Sequence, residues 1–114
     1  MKVVIGSRQM AYESVGSGPP VVLLHAFPFD ARMWRETAAA LAQRVQIITP
    51  DVRGFGHSDL GSEPFSIADL ADDVAALLDA LKVPTATVGG MSMGGYVALA
   101  FAARHPKRLT SLIL

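Results

Sequence analysis

Ser92 stands in the run Val88-Gly89-Gly90-Met91-Ser92-Met93-Gly94-Gly95, where an apolar stretch passes through a glycine-flanked serine into a helix-favouring segment, Tyr96 to Arg104. In the pattern Gly90-Met91-Ser92-Met93-Gly94 the chain reverses so tightly that the serine takes a strained backbone, which only small neighbours accommodate. A hydroxyl displayed in this way is a nucleophile for a carbonyl carbon. The helix that starts beside it aims unpaired N–H groups, and the positive end of its dipole, at the place where an attacked carbonyl gains negative charge. The chemistry that this spacing could perform is acyl transfer through a covalent serine intermediate.

Such a serine has to be held by a sheet and a helix, and the chain alternates segments of both kinds. Val3–Ile5 and Met10–Val15 read as a hairpin around Gly6–Gln9, and Gly16–Pro20 reads as a turn before the first buried strand, Val21–Leu24. Asp30 can cap a helix running to about Gln43, with Trp34, Ala38 and Leu41 at helical spacing on one face. Val45–Thr49 is the next strand and Pro50–Glu63 a loop. Ser66 and Asp69 have the spacing of a capping box ahead of Ile67, Leu70, Val74, Leu77, Leu78 and Leu81, a continuous apolar stripe. Thr85–Val88 leads into the serine turn, the following helix ends near His105-Pro106, and Leu109–Leu114 forms a last strand. Strands alternating with helices predict an α/β fold with a mostly parallel sheet.

Composition narrows the function classes. The chain has 114 residues, enough for one domain that buries about 60 to 70% of its unfolded surface. Ten basic and ten acidic residues cancel, which favours neither nucleic acid nor an anionic membrane as a partner and points to a small neutral molecule. Cysteine is absent, so disulfides, thiolate metal sites and a cysteine nucleophile are excluded. Met1–Ile5 lacks the pattern of a secretory signal, and the longest apolar run, Tyr96–Ala103, falls short of the roughly 18 residues of a membrane span. These features predict a cytoplasmic protein whose Tyr96–Ala103 run is a buried helix.

Two further motifs accompany the serine. His25-Ala26-Phe27-Pro28 directly follows a buried strand, where a second backbone N–H can approach the serine. Asp51-Val52-Arg53-Gly54-Phe55-Gly56-His57-Ser58-Asp59 follows the next strand and packs polar side chains and two glycines into a compact loop. In this order the three motifs resemble the α/β-hydrolase family, in particular its esterase, lactonase and cofactor-free peroxidase-like members. The resemblance covers nearly the whole chain, with one departure: the family usually has glycine where this sequence has Ala26.

The resemblance implies that Ser92 is the nucleophile, that the backbone amides of Phe27 and Met93 form the oxyanion hole, and that the substrate is a carboxylic ester or lactone. It implies no cofactor and no metal. The family places its acid and histidine later in the chain than the serine. After Ser92 there is no Asp or Glu, and the single histidine, His105, lies about 20 Å along the same helix at 1.5 Å per residue. Residues 1–114 thus read as one incomplete α/β-hydrolase core domain, the N-terminal half of the fold, ending at the strand after the nucleophile helix. A C-terminal segment or another copy of the chain would be its partner. A noncatalytic scaffold pairing through its exposed last strand, and a perhydrolase or haloperoxidase-like reaction at the same serine, are the alternatives.

For the remaining residues a structural role outweighs a chemical one. The resemblance implies that His25 bonds loop backbone rather than acting as a base, and His57 is expected to brace its loop alongside Asp51 and Arg53. Met91, Phe29 and Trp34 are expected to fill the core. Arg104, Lys107 and Arg108 are expected to complement a helix dipole and stay in water.

Overall fold

The computed structural model describes all 114 residues. Six strands, β1 (Lys2–Ile5), β2 (Arg8–Val15), β3 (Pro20–Leu24), β4 (Gln46–Pro50), β5 (Ala86–Gly90) and β6 (Leu109–Ile113), form one sheet in the order β1-β2-β4-β3-β5-β6. The first two pair as an antiparallel hairpin and β2 runs antiparallel to β4, whereas β4, β3, β5 and β6 are mutually parallel. Three helices, α1 (Arg35–Leu41), α2 (Ile67–Ala80) and α3 (Met93–Arg104), connect the parallel strands. Both the α/β class and the mostly parallel sheet agree with the pattern of the sequence.

The hydrophobic core lies almost entirely on one face of the sheet. Val22 and Leu24 of β3, Ile48 of β4 and Val88 of β5 meet Leu70, Val74, Leu77 and Leu78 of α2 and Val97, Ala98 and Phe101 of α3 in a cluster of 17 buried residues. On the other face α1 covers only Leu23 and Ile47, with Ala38 as the third buried member. The apolar stripe expected on α2 packs from Leu70 to Leu81, whereas Ile67 at its start is 39% exposed. Its start is a complete capping box: the Ser66 hydroxyl accepts from the Asp69 N–H, and the Asp69 carboxylate accepts from the Ser66 N–H at 2.9 Å.

Several expectations shift. The hairpin turn is tighter than expected, because strand pairing extends to Ile5 opposite Arg8 and leaves Gly6 and Ser7 as the turn. The helix expected from Asp30 to Gln43 is broken into a 3-10 turn, Ala31–Trp34, and the short α1; Asp30 does cap the start, accepting from the Arg32 N–H at 2.9 Å. Leu41 remains exposed at its end. Nor is α3 buried all round, for Tyr96 and Leu99 are 67% and 45% exposed while Val97, Ala98 and Phe101 are sealed. Arg104 and Arg108 do not simply stand in water: Arg104 pairs with Asp72 of α2 at 2.7 Å, and Arg108 donates to the carbonyls of Val83 and Pro84 and to Asp79. Two helices whose apolar faces are already packed are thereby stitched together at their rims. No helix is long and apolar enough to cross a membrane.

Asp30 carries a charge that can be tested. Its hydrogen bonds from the Arg32 side chain hold its carboxyl at about 2, below the usual 3.8. A depressed value means that the ionised form supports the folded state above the ordinary carboxylate range and that this support is lost as the pH falls through about 2. In Asp30→Asn, which keeps the cap, the stability gap to the parent should be widest near neutral pH and close between about pH 4 and 2 in urea titrations. A gap independent of pH would contradict the assignment.

Candidate active site

Ser92 sits between the end of β5 and the start of α3, with φ 56° and ψ −117°, a left-handed conformation that costs a non-glycine residue about 1–3 kcal/mol. The neighbouring glycines explain how it is tolerated. A Cβ on Gly90 would fall onto the backbone of Gly94, and one on Gly94 onto the carbonyls of Leu24 and His25. Met91 N–H donates to the Leu24 carbonyl at 3.2 Å, which ties the turn to the end of β3. The tight reversal expected from the sequence is present, and it leaves Ser92 exposed.

Phe27 lies on the segment that leaves the C-terminal end of β3, the strand adjacent and parallel to β5, so the two loops emerge side by side. Neither the Phe27 N–H nor the Met93 N–H donates to any protein acceptor. The Phe27 ring is exposed and meets Phe55 edge-on at 5.6 Å.

Ser92 borders an apolar hollow of about 790 Å³ that extends to Ile113 and Leu114 at the exposed end of the last strand. Its walls are Leu23 of β3, Trp34 and Leu41 of the α1 segment, Tyr96 and Leu99 of α3, and Ile113 of β6. Met91 and Phe29, 53% and 57% exposed, do not fill the core, whereas Trp34 packs as expected, against the small cluster of Leu23, Ala38 and Ile47. Tyr96 and Leu99 were not foreseen as lining residues, because an uninterrupted apolar run conceals which of its members lack a neighbour. Trp34 Nε1 is buried without a hydrogen-bond partner.

The histidines are committed elsewhere. His25 is fully buried; its Nε2 accepts from the Val52 N–H at 2.9 Å and its Nδ1 lies 3.1 Å from the Ala26 carbonyl, an arrangement that requires the Nδ1–H tautomer and leaves no free nitrogen. His105 Nε2 is 2.8 Å from Asp72 at the far end of α3, and Arg104 together with this contact holds the Asp72 carboxyl below the usual range. His57 braces its loop through its backbone N–H, which donates to Asp51 Oδ2 at 2.9 Å; its ring is exposed beside Tyr12, Glu13 and Arg35, none of which borders the Ser92 groove.

The Asp51 loop is a brace. Asp51 is buried, accepts from the N–H of Ala31 at 2.8 Å, and leaves no room for a Cβ on Gly56. Ser58 accepts from the Ala11 N–H and donates to the Asp51 carbonyl, closing the loop on β2. Arg53 and Arg8 converge on buried Asp73 of α2 at 2.9 and 2.7 Å, and Arg53 also covers the Phe65 ring. The loop fixes both the start of the 3-10 turn and, through Val52 and His25, the end of β3.

The contrast between two adjacent glycines tests the turn. Gly94→Ala should destabilise the chain by about 3 kcal/mol or more, since its methyl meets immobile backbone, whereas Gly95→Ala meets only the Gly90 carbonyl at 3.5 Å and should change stability by no more than about 1 kcal/mol. Denaturant midpoints of the two variants decide; equal effects would contradict the close approach.

Comparison with known proteins agrees with this geometry. The family model for the alpha/beta hydrolase fold matches residues 19–114. An esterase structure from Thermogutta terrifontis is 37% identical, with a TM-score of 0.91 over 99% of this chain and 44% of its own. The enol-lactonase of Burkholderia xenovorans LB400 is 33% identical, with a TM-score of 0.93 over 98% of this chain and 45% of its own. Pimeloyl-[acyl-carrier protein] methyl ester esterase of Aeromonas hydrophila is 39% identical over 91% of this chain. The chain spans 31 to 41% of the length of curated relatives it matches. With the sheet order, the serine turn and these matches in agreement, the chain belongs to the alpha/beta-hydrolase fold family.

Proposed function

We propose that this chain is the N-terminal part of a serine hydrolase that acts on carboxylic esters or lactones through an acyl-enzyme on Ser92. The observation that carries the reading is the strained, exposed Ser92 at the head of α3, next in the chain to the unpaired Met93 N–H and at the same end of the sheet as the unpaired Phe27 N–H. The Ser92 oxygen adds to the substrate carbonyl, the two N–H groups hold the resulting oxyanion, the alcohol departs, and water releases the acid through the same hole. Each amide is worth about 2.7–4 kcal/mol to the barrier. The serine proton passes to a base supplied by residues outside this chain, since His25 and His105 are held in hydrogen bonds and His57 borders a different hollow. A perhydrolase reaction differs only in that hydrogen peroxide, not water, takes the acyl group.

A second reading rests on β6. Leu112 pairs with Val88 on the core face of the sheet while Ile113 pairs with Gly89 on the other, a two-sided apolar pattern suited to a strand with neighbours on both edges. Leu112, Ile113 and Leu114 are nevertheless 36%, 51% and 71% exposed. Such an edge pairs with further chain, either a C-terminal segment or a second copy. This pairing completes the hydrolase or, without a base, makes the unit a noncatalytic assembly element.

Two measurements separate these readings. In the full-length protein a fluorophosphonate should label Ser92, and Ser92→Ala should abolish labelling and lower p-nitrophenyl acetate turnover by at least about a thousandfold; unchanged turnover would refute the nucleophile. Size-exclusion chromatography of residues 1–114 should show dimers or larger species, and a stable monomer would contradict the need to cover β6.

A further inference from the structure

Ala26 is the residue through which β3 hands the chain to Phe27, and both of its backbone groups are held. Its carbonyl accepts from the Phe29 N–H at 2.8 Å and from His25 Nδ1 at 3.1 Å. Its N–H donates to a thioether, Met33 Sδ, at 3.2 Å. The Ala26–Phe27 peptide is trans, the cis bond lying one residue further on, so the Ala26 carbonyl and the Phe27 N–H are opposite ends of one rigid plane. Holding the carbonyl aims the amide. The plane before it, which carries the Ala26 N–H, is held by Met33, and the two dihedrals of Ala26 lie between these planes. Met33 is itself delivered by a braced segment, the 3-10 turn whose start is capped by Asp30 and hydrogen-bonded to Asp51.

We propose that Met33 is a positioning residue of the oxyanion loop: its sulfur, by accepting the Ala26 N–H, holds the peptide plane before Ala26 and so, together with the bonds to the Ala26 carbonyl, sets the direction of the Phe27 amide. The proposal rests on the assignment of that amide to the oxyanion hole. Leucine has nearly the volume of methionine and no acceptor, so packing alone would not distinguish the two. Sulfur is a weak acceptor, yet it is the sole partner of an amide at a partly buried position, where an unmade hydrogen bond is costly.

Amide hydrogen exchange followed by NMR on the full-length protein tests this without requiring activity. In the parent the Ala26 N–H should be protected. In Met33→Leu it should exchange about five- to tenfold faster and the Phe27 amide resonance should shift, while Leu77, Val88 and Phe101 keep their protection. Replacing methionine by selenomethionine keeps an acceptor at this position and should retain the parent's protection. The proposal is overturned if the parent Ala26 amide exchanges as fast as that of exposed Gly61, if Met33→Leu leaves Ala26 and Phe27 unchanged, or if all core amides accelerate together, which would mark a packing role only. The parent and selenomethionine measurements decide even if Met33→Leu does not fold. Failure of the nucleophile reading would appear instead as absent Ser92 labelling, which this exchange experiment does not monitor.

Discussion

The first turn of α3 rests directly on the end of β3, with the Gly94 Cα against the carbonyls of Leu24 and His25. That approach is closer than any side chain permits, and much of the architecture follows from it. It goes with a left-handed backbone at Ser92, which is left exposed, and it places the start of a helix at the end of the sheet from which the loop carrying Phe27 leaves. The strain is stored locally and is carried by packing elsewhere, above all by the α2 and α3 helices over the buried face of the sheet.

The two faces of the sheet have different duties. One is sealed by α2 and α3 and fastened at the rim by Arg104 with Asp72 and Arg108 with Asp79, which supplies the rigidity that a strained turn needs. The other carries only the short α1, beside which an apolar strip reaches from Ile113 and Leu114 to Ser92. The Asp51 loop joins the two regions: Asp51 grips the start of the 3-10 turn, Val52 grips His25, and Arg53 reaches Asp73 on the sealed face. His25 holds loop backbone as the sequence leads one to expect, and Asp51 braces the same region through the Ala31 and His57 amides.

What was legible in the sequence were the features written in local chemistry. The capping box and stripe of α2, the glycines around Ser92 and the alternation of strands and helices are each set by residues within a few positions of one another. What was not legible depends on contacts distant in the chain. The break of the expected Asp30–Gln43 helix coincides with Ala31 donating to Asp51, twenty residues away, and the burial of Asp73 depends on Arg8 and Arg53 from two other segments. The exposure of Tyr96 and Leu99 follows from which faces of α3 have neighbours, and a uniformly apolar run carries no mark of that. Met33 likewise reads as an ordinary half-buried residue until Ala26 is seen to donate to it.

The central claim is that Ser92 and the amides of Phe27 and Met93 surround one reacting carbon. The most direct measurement is a crystal structure of the full-length protein after reaction with a phosphonate. The account predicts a phosphorus atom bonded to the Ser92 oxygen, with its phosphoryl oxygen about 2.7–3.1 Å from both amide nitrogens. A phosphonyl group on Ser92 whose oxygen faces away from Phe27 and Met93, or no adduct on Ser92 at all, would contradict it.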